Sequence, residues 1–356
     1  MSRDGLLVYG AYGYTGELVA RAAVARGRTP TLAGRDSGRL RSLADELGRP
    51  SIAFRLDERA AVRAALEDHE AVLNCAGPFV DTYEPLVEAA VETGTHYLDL
   101  TGEIGVFRGI REYGAAARDA GVTLLPGVGF DVVPTDCLAA HLAGRCPEAD
   151  RLRLAFEADG GASPGTVRTV IRHLHEGGRV RRDGDLEAVP LAWKTETVDF
   201  GDGERTVVSI PWGDVATAYH TTGIPNVEVY TSMHPARVRW LRRLRYLSPV
   251  LARRPVQWLL ARLLVEGDGP DATAREETGA RVWGEAAGDG DRAVARLHTP
   301  NTYSLTVETA LAAGARTVEG EAPSGFQTPA GAFGEAFVLE REGVELTDVT
   351  APPPTQ

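Results

Sequence analysis

The sequence predicts an α/β fold in which a doubly wound parallel sheet is followed by a second, α+β domain built on a mixed or antiparallel sheet. Three observations support this prediction. Apolar strand-like runs alternate with amphipathic helical runs through the first 125 residues, as in parallel βαβ units. A glycine-rich turn follows the first of these runs. After about residue 150, strand-like runs follow one another with few helices between them, which favours antiparallel or mixed pairing.

The first part of the chain alternates regularly between the two kinds of element. Strands are predicted at 5–9, 30–34, 51–55, 70–75, 96–99 and 122–125, and helices at 14–26, 37–47, 58–67, 82–93 and 104–120. Ser37 and Asp57 are the candidate N-caps of the second and third helices. Six such strands joined by helices are typical of a Rossmann-type sheet.

The second part begins with a helix predicted near 134–143, where Pro134 suits the first turn. The further elements are strands at 151–158, 205–210, 226–232, 279–287 and 291–298, and helices at 164–176 and 302–313. We therefore predict a nucleotide-binding domain over residues 1–145, a substrate domain over 146–345 and a flexible tail over 346–356.

Composition narrows the class of protein. The chain has 356 residues, of which 43% are hydrophobic and 25% charged, as in ordinary globular proteins. A net charge of −12 argues against general nucleic-acid binding. There is no run of eighteen apolar residues and no apolar leader at the N-terminus, so the expectation is a cytoplasmic protein. Its three cysteines lack metal-ligand spacing, and no metal site is predicted.

Lys194 is the only lysine in the chain. It follows Trp193 rather than a glycine, which excludes a phosphate-binding loop of the Gly-Lys-Ser/Thr type. Pro190 stands where a Tyr-x-x-x-Lys catalytic pair would need its tyrosine. A phosphate-binding loop of that type and a Tyr-Lys catalytic pair are therefore both excluded.

The glycine-rich turn Gly10-Ala-Tyr-Gly13-Tyr-Thr-Gly16 lies between the first strand and the first helix. In this context Gly10 would permit the turn, Gly13 would let the backbone approach a phosphate, and Gly16 would let the helix pack closely on the strand. Tyr14 and Thr15 would flank a pyrophosphate at the positive end of the helix dipole. The alternative is a tight turn with no ligand.

The end of the second strand indicates which dinucleotide binds. Gly34 stands where NAD-specific domains place an acidic residue for the ribose, and Arg35 follows it. A guanidinium binds a 2′-phosphate well, and Ser37 and Arg39 could assist, so the predicted cofactor is NADP. Asp36 could still accept a ribose hydroxyl, which leaves dual specificity open.

Later strand ends supply further candidates for cofactor binding. Asp57 would meet the adenine edge or, alternatively, cap a helix. Asn74, Ala76, Gly77 and Pro78 end the fourth strand, where small residues let the backbone approach the nicotinamide half. A simple Gly-Pro turn is the alternative there.

Several segments together resemble the saccharopine dehydrogenase-like oxidoreductases, among them the trans-acting enoyl reductases and the animal saccharopine dehydrogenase-like oxidoreductases. The segments are Gly10–Gly16, Leu32–Arg35, Asn74–Phe79, Thr95–Asp99 with Gly102 and Glu103, Gly129–Asp136, Gly325–Ala330 and Ala332–Gly334. The resemblance implies a nucleotide domain, a substrate domain with a mixed sheet, and NADPH as the reductant.

Candidate catalytic groups follow the fifth and sixth strands. Tyr97, Asp99 and Glu103 lie at the predicted carboxyl end of the sheet, and Asp131 lies before the Pro134 helix. A buried carboxyl group among them could have a raised pKa and donate a proton. Equally, these side chains could cap or brace the neighbouring helices. Asp136, Tyr219, His220 and Tyr303 are weaker candidates, and His173 and His175 cannot share a helix face.

Residues 237–262 contain eight arginines and no acidic residue. Trp240, Trp258 and several leucines accompany them, which is the composition of a helix that lies on an anionic membrane surface. The alternative is a helical hairpin whose arginines pair with the surplus carboxylates of the protein.

The residues predict an NADPH-dependent oxidoreductase, and the resemblance implies that it reduces a C=C (enoyl) bond of a small hydrophobic, lipid-like or isoprenoid substrate. One alternative is an imine reductase or amine dehydrogenase of the saccharopine type, for which Arg168, Arg172 and Lys194 are the cations available to bind carboxylates. Another is a non-catalytic NADP-binding protein held at a membrane through 237–262. The oligomeric state stays open, a homodimer included.

Overall fold

A computed structural model describes residues 4–349, apart from 160–164, 166, 168–170, 173 and 265–268. Part of the predicted helix at 164–176 lies outside the described residues, and so do Arg168 and His173. The chain divides into two compact units. The first comprises Met1–Val133 and Tyr303–Phe333, and the second comprises Pro134–Thr302 and Gly334–Gln356. The predicted domain boundaries stay predictions.

The strands of the described residues are numbered in chain order. They are β1 (Asp4–Tyr9), β2 (Thr31–Gly34), β3 (Ser51–Ala53), β4 (His69–Asn74), β5 (His96–Asp99), β6 (Thr123–Leu125), β7 (Arg151–Ala158), β8 (Gly178–Arg182), β9 (Asp185–Val189), β10 (Thr195–Asp199), β11 (Glu204–Ser209), β12 (Asn226–Ser232), β13 (Gly279–Gly288), β14 (Asp291–Pro300), β15 (Gly325–Phe326) and β16 (Glu345–Val349).

The α-helices of the same residues are numbered likewise. They are α1 (Tyr14–Ala25), α2 (Ser37–Leu47), α3 (Arg59–Glu67), α4 (Tyr83–Thr93), α5 (Ile104–Glu112), α6 (Gly114–Asp119), α7 (Val133–Arg145), α8 (Asp214–Thr222), α9 (Pro235–Leu244), α10 (Ser248–Leu251), α11 (Arg254–Leu264), α12 (Ala272–Glu277), α13 (Thr302–Val318) and α14 (Pro329–Phe333). Short 3₁₀ helices lie at Phe79–Asp81, Leu174–Glu176, Arg245–Leu247 and Glu335–Phe337.

The first unit is built on a seven-stranded sheet in the order β15-β6-β5-β4-β1-β2-β3. All of its pairs are parallel. The central strands are covered on both faces, so their apolar residues lie in succession rather than alternating, and Leu7, Val8, Val72, Leu73 and Leu98 are fully buried. The predicted doubly wound sheet is confirmed. The carboxyl ends of its strands lie at one edge, where such sheets bind ligands.

Three local predictions in this unit need correction. The helix predicted over 104–120 is two helices, α5 and α6, separated at Tyr113. Ser37 is the first residue of α2 rather than its N-cap. Asp36 is the N-cap, because its Oδ1 accepts hydrogen bonds from the N–H groups of Gly38 (3.0 Å) and Arg39 (3.1 Å). The N-cap position of α3 falls on Glu58, not Asp57.

The second unit is built on a nine-stranded sheet that follows the path β10-β11-β12-β7-β13-β14-β16, with β8 and β9 beside β12. Strand β12 runs parallel to β7 and the other neighbours are antiparallel, so the predicted mixed sheet is confirmed. Helix α7 lies close to β13 at Gly284, where an added Cβ would come 2.6 Å from Leu142 Cδ1. In the described residues, no helix has both the length and the apolar character needed to cross a bilayer.

Candidate active site

The glycine-rich turn is an open loop of backbone at the carboxyl end of β1. Gly10 has a φ of +81°, and a Cβ there would lie 2.9 Å from Ala76 Cβ. A Cβ at Gly16 would lie 2.2 Å from the carbonyl oxygen of Gly10, and a Cβ at Gly13 would lie 3.2 Å from the same atom. All three glycines are therefore places where side chains would fill or distort the turn.

Helix α1 begins at Tyr14, within this glycine-rich segment, so Gly16 lies in its first turn. Its N-cap is Gly13, which has no side chain to cap the first backbone N–H groups. Within the described ranges, no acceptor binds the N–H groups of Thr15 and Gly16. Backbone N–H groups without a described acceptor and a helix dipole at one point form a site for an anionic group. The ring of Tyr14 packs edge-on against Tyr303, with centroids 4.9 Å apart, and so bounds the turn on one side.

The end of β2 is shaped by Tyr12, whose role the sequence analysis missed. Its ring lies over Gly34, so that a Cβ at position 34 would be 2.5 Å from Tyr12 Cε1. The Tyr12 hydroxyl accepts a hydrogen bond from the Asp36 N–H (3.1 Å). The Arg39 guanidinium stacks 4.8 Å from the ring centroid and donates to the Tyr12 carbonyl oxygen (3.1 Å). Tyr12 therefore occupies the space that an acidic residue at position 34 would need.

Arg35 follows β2 directly and is exposed. Its side chain has neither a hydrogen bond nor an ion pair with any residue that the structure describes. Asp36 is engaged as the helix cap, which leaves Arg35 and Arg39 as the cations at this strand end. Asp57 is farther along the same edge, after β3, and pairs with Arg55 at 3.0 Å, which lowers the pKa of the Asp57 carboxyl.

Asn74 organises the loop that follows β4. It is fully buried, and its Oδ1 accepts the Ala76 N–H (3.0 Å) while its Nδ2 donates to the Thr82 hydroxyl (3.0 Å). Thr82 in turn donates to the Ala76 carbonyl oxygen (2.8 Å). Asn74 thus holds Ala76, and with it Gly77 and Pro78, beside Gly10, rather than presenting its own amide to a ligand.

Asp99 and Tyr97 lie inside the first unit, fully buried. Asp99 Oδ1 accepts the N–H groups of Thr101 and Gly127, each at 2.9 Å, and its Oδ2 accepts the Tyr97 hydroxyl at 2.9 Å. Burial raises the pKa of Asp99 to about 7 and also raises that of Tyr97. Asp99 Oδ1 therefore holds the loops that follow β5 and β6, and its Oδ2 is engaged by Tyr97 of β5.

Glu103 is buried at the start of α5. Its carboxylate accepts the Phe79 N–H (2.8 Å) and the Val80 N–H (3.4 Å), which are the first donors of the 3₁₀ helix after Pro78. Its own N–H donates to the Thr101 hydroxyl (3.0 Å). Glu103 therefore connects the loop after β4 with the loop after β5.

Asp131 differs from the other three catalytic candidates because it is only partly buried. The loop after β5 passes close to it, since a Cβ at Gly102 would lie 3.2 Å from Asp131 Oδ2. Burial and, secondarily, the charge of Glu103 raise the pKa of Asp131 to about 7. Among these candidates, Asp131 is the carboxyl-bearing residue that is partly exposed and whose pKa lies near neutrality.

Helix α13 supports the Asp131 segment from a distant part of the sequence. The Thr306 hydroxyl accepts the Phe130 N–H (3.0 Å), and the Thr309 hydroxyl donates to the Val128 carbonyl oxygen (2.7 Å). The sequence analysis missed both threonines, because nothing in the spacing of a helix shows which loop it touches.

The weaker candidates in the second unit have structural partners. Buried Asp136 accepts a hydrogen bond from the Thr221 hydroxyl (2.5 Å), and the Arg181 guanidinium lies 4.2 Å from the centre of the Tyr219 ring. Lys194 pairs with Glu228 at 2.6 Å. In the described ranges no three His, Cys, Asp or Glu side chains are grouped to hold a metal ion.

Comparison with known proteins identifies the first unit. The model of the saccharopine dehydrogenase NADP-binding domain matches residues 6–125. This segment, about a third of the chain, is similar to that domain. The resemblance predicted from the sequence is confirmed, and so is NADP as the cofactor. The open glycine turn and the cations after β2 are the features of this structure that fit that nucleotide.

Curated relatives match over part of their length. A trans-acting enoyl reductase of Mycobacterium ulcerans is 32% identical over 151 residues, which is 40% of this chain and 36% of that protein. A saccharopine dehydrogenase-like oxidoreductase of Mus musculus is 32% identical over 151 residues, covering 37% of this chain and 35% of that protein. The matched region thus spans about a third of the length of these relatives.

Among solved structures, the apo form of saccharopine dehydrogenase (L-Glu forming) from Saccharomyces cerevisiae is similar to this chain. The TM-score is 0.68 at 13% sequence identity, and the match covers 98% of this chain and 100% of that one. At this identity the likeness shows a shared fold.

Proposed function

We propose that the protein is an NADPH-dependent oxidoreductase that reduces the C=C bond of an enoyl group on a hydrophobic, lipid-like substrate. The observation that carries this proposal is the pairing, on one sheet edge, of an open backbone turn with a partly buried carboxyl group of raised pKa. The names of the mycobacterial relatives support the enoyl group as the bond reduced.

The turn after β1 would hold the pyrophosphate through the backbone N–H groups of Thr15 and Gly16. Arg35, which has no described partner, would bind the 2′-phosphate. Ala76, Gly77 and Pro78, held by Asn74, would form the floor beneath the nicotinamide half. When bound, NADPH supplies a hydride; orientation and proton supply are tasks for the protein.

Tyr12 and Gly34 would set the preference for NADPH over NADH. An acidic side chain that accepts the ribose hydroxyls of NAD has no room at position 34, because the Tyr12 ring fills that space. The same ring stacks with Arg39 and so keeps a second cation near Arg35. The preference for NADPH over NADH would thus have two sources. The site has no room for a carboxylate that binds the ribose of NADH, and it has cations that bind the 2′-phosphate of NADPH.

Asp131 would donate the proton that completes the reduction. Hydride addition to one carbon of a conjugated C=C bond leaves negative charge that a proton must neutralise at the other carbon. An acid with a pKa of about 7 is partly protonated near neutral pH and transfers its proton readily. Asp99, Tyr97 and Glu103 would be positioning residues, since their polar atoms bind the surrounding loops.

The test is turnover with two substrate classes under the same conditions. We expect NADPH oxidation with a long-chain enoyl thioester, and transfer of deuterium from C4-deuterated NADPH to the substrate carbon. Oxidation of NADPH only when an amine is supplied with a keto acid would replace the proposal with an imine reductase. Tight NADPH binding without turnover of either class would indicate a binding protein instead.

A further inference from the structure

The most unusual surface of the molecule lies on α9, α10 and α11 of the second unit. Of nine large hydrophobic side chains that are exposed in the described residues, seven lie between positions 240 and 263. They are Trp240 (60% exposed), Tyr246 (73%), Leu247 (50%), Val250 (44%), Trp258 (62%), Leu259 (49%) and Leu263 (61%). Single exposed apolar residues are common on proteins, but a concentration of this kind marks an interaction site.

Helices α9 and α11 each have an inner and an outer side. Val238 of α9 is buried against Ala192 and Val208, with Leu241 packed beside it, which anchors that helix to the second unit. On α11, Trp258 and Arg262 form one pair four residues apart and Leu259 and Leu263 form another, and all four are exposed. The outward apolar side chains are thus not needed for the packing that holds α9 in place.

The charge of this surface is opposite to that of the whole chain. Residues 237–262 carry eight arginines and no acidic residue, in a protein of net charge −12. The alternative interpretation pairs these arginines with the surplus carboxylates. It is wrong for the described residues, where none of the eight forms an ion pair with an acidic side chain. Arg242 instead donates to the Ala192 carbonyl oxygen (3.0 Å), and Arg245 to the Tyr246 hydroxyl (2.7 Å).

We infer that this surface binds an anionic lipid bilayer and places the protein at a membrane–water interface. Guanidinium groups that form no ion pair with any described acidic side chain attract lipid phosphates, tryptophan and tyrosine rings lie well at headgroup level, and Leu259 and Leu263 can enter the acyl boundary. A second copy of the chain fits less well, because a two-fold contact would bring two surfaces of eight positive charges together. The inference goes beyond the proposed reductase activity and does not depend on it.

The test is flotation of the full-length protein with vesicles of phosphatidylcholine alone or mixed with phosphatidylglycerol. We expect binding to the mixed vesicles at low salt, little binding to phosphatidylcholine, and loss of binding as salt rises. The variant R239Q/R243Q/R253Q/R254Q should bind the mixed vesicles at least tenfold more weakly. The variant W258Q/L263Q should also weaken binding, and should do so already at low salt.

The matched control R28Q/R41Q/R108Q/R111Q removes the same charge from exposed arginines of the first unit and should leave vesicle binding unchanged. NADPH binding, measured in parallel, shows that each variant is folded. Failure of the wild type to float with anionic vesicles, or an equal loss in the control, would overturn the inference. So would a dimer in sedimentation equilibrium that W258Q/L263Q dissociates while vesicle binding is absent.

Discussion

The loop after β1 and the loops after β5 lie at the same edge of the same parallel sheet, yet they are built in opposite ways. After β1, three glycines remove side chains and leave backbone N–H groups of Thr15 and Gly16 without described acceptors. After β5, the carboxylate of Asp99 is enclosed and both of its oxygens accept hydrogen bonds. The first arrangement is open to a ligand, whereas the second fixes the walls of the site.

The comparison shows that a residue at the ligand-binding edge of a sheet is not by that fact a ligand-binding residue. Asp99, Glu103 and Asn74 occupy the expected positions, but the side-chain oxygens of each accept hydrogen bonds from neighbouring loops. Asp131 differs from them in that the residue is partly exposed, and burial raises the pKa of its carboxyl group to about 7. Separating the two kinds of residue by experiment is therefore the most useful way to test the account.

The largest effect should come from filling the open loop. Gly16→Ala places a Cβ 2.2 Å from the Gly10 carbonyl oxygen, so the turn must open and NADPH affinity should fall at least a hundredfold. The control is Gly105→Ala in the first turn of α5, where an added Cβ meets nothing within 4 Å. Isothermal titration with NADPH measures both. Equal affinities in the two variants would show that the turn does not hold the cofactor.

Asp131→Asn should reduce kcat about 10²-fold, which is the usual contribution of a general acid, while leaving the Kd for NADPH unchanged. In the wild type, kcat should fall as pH rises through about 7, because only the protonated carboxyl group donates. Steady-state kinetics between pH 5 and 9 check both statements. A variant that keeps the wild-type kcat and pH profile would remove Asp131 from the mechanism.

Asp99→Asn should act on stability rather than on the chemical step. The pKa of Asp99 is about 7 in the folded protein and lies near 4 when unfolded, so folding favours the protonated form. The stabilisation of the folded protein that follows from this raised pKa is fully present below about pH 4 and is lost as pH rises through about 7. The wild type should therefore lose about 2–3 kcal/mol more than Asp99→Asn between pH 5 and 8. Urea unfolding at the two pH values measures this, and identical losses would show that Asp99 does not titrate there.

The cofactor preference should respond to the Tyr12–Gly34 contact. Gly34→Asp alone forces a side chain into the Tyr12 ring and should weaken both cofactors, whereas Tyr12→Ala/Gly34→Asp makes room for the carboxylate. We expect the double variant to shift the NADPH-to-NADH affinity ratio toward NADH by tenfold or more relative to Tyr12→Ala. An unchanged ratio would mean that Tyr12 has no part in selectivity.

The features of the fold and the site that could be predicted are those that depend on residues close together in the sequence. The six strands, the glycine turn and Arg35 follow from local periodicity and spacing, and the structure has them at the expected places in the sheet. The two-residue strand β15 is too short to show a period, and it joins β6 from about 200 residues away. The choice between Asp36 and Ser37 as helix cap depends on backbone angles that adjacent polar residues do not reveal.

The features that the sequence did not predict depend on contacts between segments that are distant in the chain. Tyr12 over Gly34 and Thr306 on Phe130 join residues that only the folded sheet brings together. The bracing roles of Asp99 and Glu103 depend likewise on where the loops after β6 and β4 lie. Sequence reasoning could place these carboxyl groups at the edge of the sheet, but could not tell which of them face inward.

The most direct test of the central claim is the ratio of NADPH to NADH affinity in the wild type, in Arg35→Ala and in Arg28→Ala. Both arginines are exposed, but Arg35 follows β2 at the glycine-turn edge and Arg28 precedes β2 at the other end. We predict that the wild type and Arg28→Ala bind NADPH at least tenfold more tightly than NADH, and that Arg35→Ala loses most of this preference. Equal affinity for the two nucleotides in the wild type, or an undiminished preference in Arg35→Ala, would contradict the account.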